Sequence, residues 1–352
     1  MSFAEIIGQE DAKDLLKNAI KTGKHSHAYI FSGEKGSGKM MLAEAFAMML
    51  QCENPEDDAC GLCHACKQTA SHNNPDVIYI SREYDSKTKK FKKNISVDQI
   101  REKLVNDVDI KPYSSKYKIY IIDEAEKMNP QAQNAMLKTI EEPPEYAVII
   151  LLTANHNAFL QTILSRCVLI QMKPVHTDSI KNLLQTKYEA VDYQSEMVAS
   201  FAQGNIGKAI ALTTDVSFNE AKDMVVSLCK KAGKMDALQV SNEVKSIKEA
   251  NDQDKKSDDS EKEKFQGFVE QMLDLITLWY RDVLLYKATL NDNILLFKED
   301  LFDIHDQAQS CSYEGLNNII DAISETRARL NANVNFELTI TLLINAMKEN
   351  TR

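Results

Sequence analysis

Between Ala28 and Met172 short apolar runs alternate with amphipathic stretches, and this alternation limits the possible folds more than any other feature of the chain. AYIFSG is followed by MLAEAFAMML, DVIYI, VDQIREKLV, KIYIID, AVIILLT and CVLIQM. Apolar runs of strand length, interleaved with helical periodicity, predict parallel strands joined by helical crossovers and covered on both faces. Pro174 closes the block, and from Ser179 to about Lys231 the period becomes helical throughout. Residues 244–264 carry dense charge of both signs and few large apolar groups, which predicts a linker or an exposed helical extension. Four helix-period blocks follow. The expected organisation is therefore α/β followed by all-α: a parallel-sheet domain over 1–173, a small helical domain over 174–243, a charged linker over 244–264 and a helical domain over 265–352.

The loop Gly33-Glu34-Lys35-Gly36-Ser37-Gly38-Lys39 lies between the apolar run Tyr29-Ile30-Phe31 and the helical stretch 40–50. Glycines in that setting let successive backbone N–H groups turn toward a phosphate, the helix N-terminus adds partial positive charge, and Lys39 reaches the outer phosphates. Met40 departs from the pattern. A Ser or Thr hydroxyl there would ligate Mg²⁺, whereas a thioether is a weak acceptor, so ATP and Mg²⁺ become doubtful cofactors. The run Ile119-Tyr120-Ile121-Ile122 ends in Asp123 and Glu124, carboxylates at the C-terminal end of a buried strand, where open parallel sheets bind ligands. In a working site Asp123 would hold the metal shell and Glu124 would polarise the attacking water.

Seven cysteines have to be read against their surroundings. The acidic start MSFAEIIGQEDAK has no apolar stretch behind a basic end, and no run approaches the roughly 20 apolar residues of a membrane span, so a cytoplasmic protein is expected. Reducing surroundings favour metal ligation over a disulfide framework. Cys52, Cys60, Cys63 and Cys66 form C-x7-C-x2-C-x2-C in a polar segment, while Cys167, Cys229 and Cys311 are scattered. Four thiolates at this spacing suit a closed, structural Zn²⁺ site over 52–66. His64 lies inside the cluster, but four cysteines already fill the shell.

Together with these features, the tripeptide Ser165-Arg166-Cys167 and the segments HAYIFSGEKGSGK, IIDEAEKM, LKTIEEPPE and TILSRC resemble the AAA+ subunits of the bacterial DNA polymerase III clamp loader, delta-prime and its paralogue tau/gamma. The likeness is dense over the first domain, and LWYRDVLLYKA and NVNFELTITLLINAM look more like delta-prime. It implies a RecA-like module, a helical lid and a helical collar. It also implies assembly with tau/gamma and delta subunits into a hetero-oligomer that places a sliding clamp on primed DNA. In that family the Arg of the tripeptide enters a neighbour's ATP site, so Arg166 is the residue expected to act in trans, as an arginine finger. Gly204-Asn205-Ile206-Gly207-Lys208-Ala209 resembles the lid motif that carries an arginine to the phosphates, and Lys208 keeps the charge without the bidentate fork. Thr153 and Asn155 stand where the family has a polar sensor.

Two other readings are weighed against this one. A tau/gamma-like ATPase would hydrolyse ATP itself through Asp123 and Glu124 despite Met40. A free-standing zinc-dependent DNA-binding module is disfavoured by the net charge of −10, which repels a phosphate backbone. The basic insertion from Lys87 to Lys93 is expected to be a solvated loop.

Overall fold

The computed structural model describes residues 2–85, 90–214, 216–249, 259–332 and 334–351. Its centre is a parallel sheet of β1 (Ala28–Ser32), β2 (Val77–Ile80), β3 (Lys118–Ile122), β4 (Ala147–Thr153) and β5 (Val168–Gln171), in the order β2-β3-β4-β1-β5. In register, Tyr29 faces Ile150 on one side and Val168 on the other. Every residue of β1, β3 and β4 is buried. This is why these segments read as unbroken apolar runs rather than as alternating ones.

The pleat sends alternate residues to two separate cores. Tyr29, Phe31, Ile119, Ile121, Ile150 and Leu152 pack with α1 (Glu10–Lys21) and α2 (Lys39–Gln51). Ile30, Tyr120, Ile122, Ile149 and Leu151 pack on the other face with Met136 and Ile140 of α4 (Pro130–Glu141), α3 being the short helix His64–Ala70. Each large side chain fully buried here contributes about 1.5–3 kcal/mol. From Leu42 to Gln51 α2 is buried on every side, as a helix apolar all round must be. The N-terminus of α4 is fixed by Asn129, whose side chain accepts the Ala132 amide at 2.8 Å, and by Pro130 in the first turn. Just before β2 the buried Asp76 accepts the backbone N–H groups of Tyr113, Ser114 and Ser115 at 2.6, 2.9 and 2.8 Å, tying down the loop that leads into β3.

The chain forms two compact units, one of residues 1–183 and 202–208 and the other of 184–201 and 209–352. The expected helical domain over 174–243 is therefore divided between them. Most of it joins the C-terminal helices because helix Val216–Lys231 packs along the long helix Asp259–Thr289. Trp279 and Tyr280 of that long helix are wholly buried. The Trp279 indole donates to Gln307 Oε1 at 2.9 Å, and the Gln307 amide in turn donates to the Cys229 carbonyl at 2.8 Å. Of the stretch expected as a linker, Val244 and Ile247 are buried in helix Ala237–Glu249, so the interior of the C-terminal unit reaches further along the chain than the charge density suggested. Residues 250–258 lie outside the described residues. Among the described residues no helix is long and apolar enough to cross a membrane.

Lys87, Thr88 and Lys89 of the basic insertion also lie outside them. Lys90–Phe91 within it pairs with Tyr84–Asp85 before it as a short antiparallel hairpin, where the sequence predicted only a loop. The exposed rings of Tyr84 and Phe91 meet edge to face at 5.3 Å, a cross-strand pair that accounts for the pairing.

Candidate functional site

The phosphate-type loop leaves β1 at Ser32 and enters α2 at Lys39. Gly36 and Gly38 have φ of +88° and +91°, the left-handed region in which glycine is at ease. Lys39 folds back over the loop and donates to the carbonyls of Gly33 and Glu34 at 2.6 and 2.7 Å. Burial lowers its pKa, while the carboxylates of Glu126, Asp123 and Glu34 pull it up. The structure thus brings the loop and the acidic strand end to one place. Ser37 Oγ is buried inside the loop and has no hydrogen-bond partner among the described residues. Met40, in the first turn of α2, packs against the core, so its side chain presents carbon and sulfur and supplies no oxygen for a hard cation. This donor set does not fit Mg²⁺ as a hydroxyl-bearing loop would.

Asp123 follows β3 and accepts the Glu124 amide at 2.9 Å. Glu124 has φ of +47°, and its carboxylate is engaged by Arg82 Nε at 2.5 Å. Arg82 follows β2, the neighbouring strand, and also lies 5.8 Å from the Phe91 ring. The residue expected to polarise water is therefore held by a cation that sequence reasoning did not single out. Thr153 ends β4, where its carbonyl accepts the Gly33 amide at 3.0 Å and its hydroxyl accepts the Asn155 amide at 3.0 Å.

The segment around Asn205 and Gly207 closes over the crown of the loop. Asn205 donates to the Lys35 carbonyl at 2.8 Å and to Glu34 Oε2 at 3.3 Å, and its Oδ1 accepts the Lys208 amide at 3.0 Å. The Gly207 amide donates to the Gly36 carbonyl at 2.9 Å. The two backbones are so close that a Cβ on Gly207 would lie 2.6 Å from Gly36 Cα. Only glycines permit this approach. Lys208 lies in the first turn of the helix Ile206–Thr214, immediately beside the loop.

The four cysteines converge. The sulfurs of Cys52, Cys60, Cys63 and Cys66 all lie within 4.8 Å of one another, and those of Cys60 and Cys66 are 3.9 Å apart. A tetrahedral Zn²⁺ with Zn–S bonds near 2.3 Å requires sulfurs about 3.8 Å apart, so the set fits a metal of that kind. Backbone amides already point at the sulfurs: Cys60 N to Cys52 Sγ at 3.3 Å, Cys63 N to Cys60 Sγ at 3.4 Å and Cys66 N to Cys63 Sγ at 3.4 Å. The amides of Cys63 and Leu62 bring the Cys60 thiol down to about 6, while burial pushes Cys52 and Cys66 up. His64 begins α3 with its side chain exposed and is not part of the group. The module is seated on the core through Met48, which packs with Cys52 and Cys66.

Arg166 sits in the turn before β5, with its side chain about 40% exposed. Cys167 packs beneath it against the second core. The guanidinium pairs with Glu141 Oε1 at 3.1 Å and donates to the Thr162 carbonyl at 3.0 Å.

Strand order, loop, acidic strand end and lid segment together define an AAA+-type phosphate-loop subunit, a parallel-sheet module with a helical region after it. Residues 8–176 match the family described as DNA polymerase III, delta subunit, and residues 260–349 match its C-terminal part. The chain belongs to the DNA polymerase III delta-subunit family. It is 27% identical over 337 residues to DNA polymerase III subunit delta' of Bacillus subtilis, covering 95% of this chain and 94% of that one. It is 32% identical over 293 residues to subunit tau of the same organism, covering 81% of this chain and 50% of the relative. The Escherichia coli tau subunit is 30% identical over 257 residues, with 38% of its length covered. The chain thus spans half or less of the length of these tau relatives. A gamma subunit-related protein of Thermotoga maritima aligns over 97% of this chain and 99% of its own with a TM-score of 0.46 and 20% identity.

Proposed function

We propose that the protein is a delta-prime-like clamp-loader subunit of the cytoplasm that assembles with tau/gamma and delta subunits to load a sliding clamp on primed DNA, and that it lends Arg166 to a neighbour's ATP site instead of turning over ATP itself. One observation carries this reading: the loop is built for phosphate, yet its metal-ligand position is Met40, half-buried against the core. Lys39 spent on loop carbonyls and Glu124 paired with Arg82 support the same conclusion. Arg166, exposed and anchored at its base, has the chemistry of an arginine finger. The cysteine set holds a structural Zn²⁺ that fixes the loop between α2 and α3 and leaves no open coordination position.

The test is reconstitution with the organism's own tau/gamma and delta subunits. The isolated chain is expected to hydrolyse no ATP. Arg166→Ala in the assembled complex is expected to lower turnover roughly 10³-fold at that one interface while leaving assembly intact. Mg²⁺-dependent turnover by the isolated chain, abolished by Lys39→Ala, would overturn the proposal in favour of a tau/gamma-like ATPase.

A further inference from the structure

We propose that Glu141 is a positioning residue for Arg166, fixing the plane in which the guanidinium is offered to a neighbouring subunit. The inference rests on the reading of Arg166 as the residue that acts in trans. Arg166 is held along two edges. Nη2 faces Glu141 Oε1 at 3.1 Å, while Nη1 donates to the Thr162 carbonyl at 3.0 Å and lies 3.4 Å from Ser165 Oγ. A guanidinium carries five N–H donors in one plane, so these contacts define its orientation without exhausting it. Among the described residues the Nε–H makes no hydrogen bond and remains available to an incoming phosphate oxygen.

The backbone below is fixed as well, because the Arg166 and Cys167 amides both donate to the Ile163 carbonyl, at 3.0 and 3.1 Å. What the backbone does not fix is the long side chain, and among the described residues Glu141 is the one charged group paired with it. Glu141 is the last residue of α4, where the helix dipole disfavours a carboxylate. Helix stability therefore does not explain its place. With side chains 40% and 43% exposed, the pair lies in solvent, strong enough to bias orientation and too weak to sequester the cation.

The experiment uses the reconstituted complex with MgATP and compares Glu141→Ala, Glu141→Gln, Arg166→Ala and the Glu141→Ala/Arg166→Ala double variant. Glu141→Ala is expected to lower kcat about tenfold with KM for ATP unchanged. Glu141→Gln, which keeps an acceptor oxygen, should recover most of that loss. The double variant should be no slower than Arg166→Ala alone, since a positioning residue has nothing to position once its partner is gone. Unaltered thermal unfolding of Glu141→Ala excludes a fold defect. If Arg166→Ala lowers turnover and Glu141→Ala leaves it unchanged or raises it, the positioning role is overturned while the trans role stands. If Arg166→Ala itself is without effect, both are overturned.

Discussion

Asp76 offers a measurable link between the fold and the site, because the loop it anchors feeds β3 and hence Asp123 and Glu124. Asp76→Asn keeps the volume and removes the charge, so no cavity contributes to the outcome. Hydrogen bonds to a charged acceptor are worth about 1.5–3 kcal/mol each, and the carboxylate accepts three backbone N–H groups. They do not add fully: Tyr113 is 88% exposed, so the released loop can hydrate its amides. The net loss is expected to be about 3 kcal/mol, which lowers the melting temperature of a unit of this size by roughly 6–12 °C. Burial acts to raise the Asp76 pKa, but the amides of Tyr113, Ser114 and Ser115 outweigh it and hold the carboxyl below its usual value. A depressed folded pKa gives stability that is complete above about pH 4 and is lost as pH falls through the folded value. Urea unfolding of both forms at pH 7 and near pH 3 reads this directly: the gap should be full at pH 7 and begin to close at pH 3. A variant within about 0.5 kcal/mol of wild type at pH 7 would refute the reasoning, since that is the range of an ordinary surface change.

Replacing Cys63 and Cys66 by Ser should take the metal content from one Zn²⁺ per chain to none and lower the unfolding temperature; metal analysis that finds no zinc in the wild type removes the site. Met40→Thr restores an oxygen at the metal position and should raise Mg²⁺-dependent ATP affinity at least tenfold by calorimetry, whereas an unchanged isotherm would mean that the closed lid segment, not position 40, decides occupancy. Gly207→Ala puts a methyl 2.6 Å from Gly36 Cα and should destabilise the closed contact by about 1–3 kcal/mol, seen as faster hydrogen exchange at residue 207; unchanged protection would refute the close approach.

The sheet was legible because β1, β3 and β4 are buried on both faces and leave continuous apolar runs. The cysteine cluster was legible because its members are local in sequence and their spacing alone brings the sulfurs together. The pairings that modify the site were not. Arg82 reaches Glu124 across 42 positions, and Asn205 reaches Lys35 across 170. Glu141 meets Arg166 only because α4 ends beside the turn before β5. Each residue is ordinary in its own segment, and only the parallel crossovers make it a partner. The division into two units was hidden for a related reason, since helical periodicity reports that a helix has an apolar face and not which neighbour covers it.

One helix begins at Lys39 and ends against Cys52. At about 1.5 Å per residue, its 13 residues form a strut of roughly 20 Å, wedged between phosphate-type loop and cysteine cluster. Because that strut is enclosed on every side from Leu42 to Gln51, it has little room to tilt and absorb a disturbance at either end. Oxidation of the distant thiols would therefore be felt as slack in the glycine loop, a mechanical route by which thiol chemistry reaches a phosphate-type cradle.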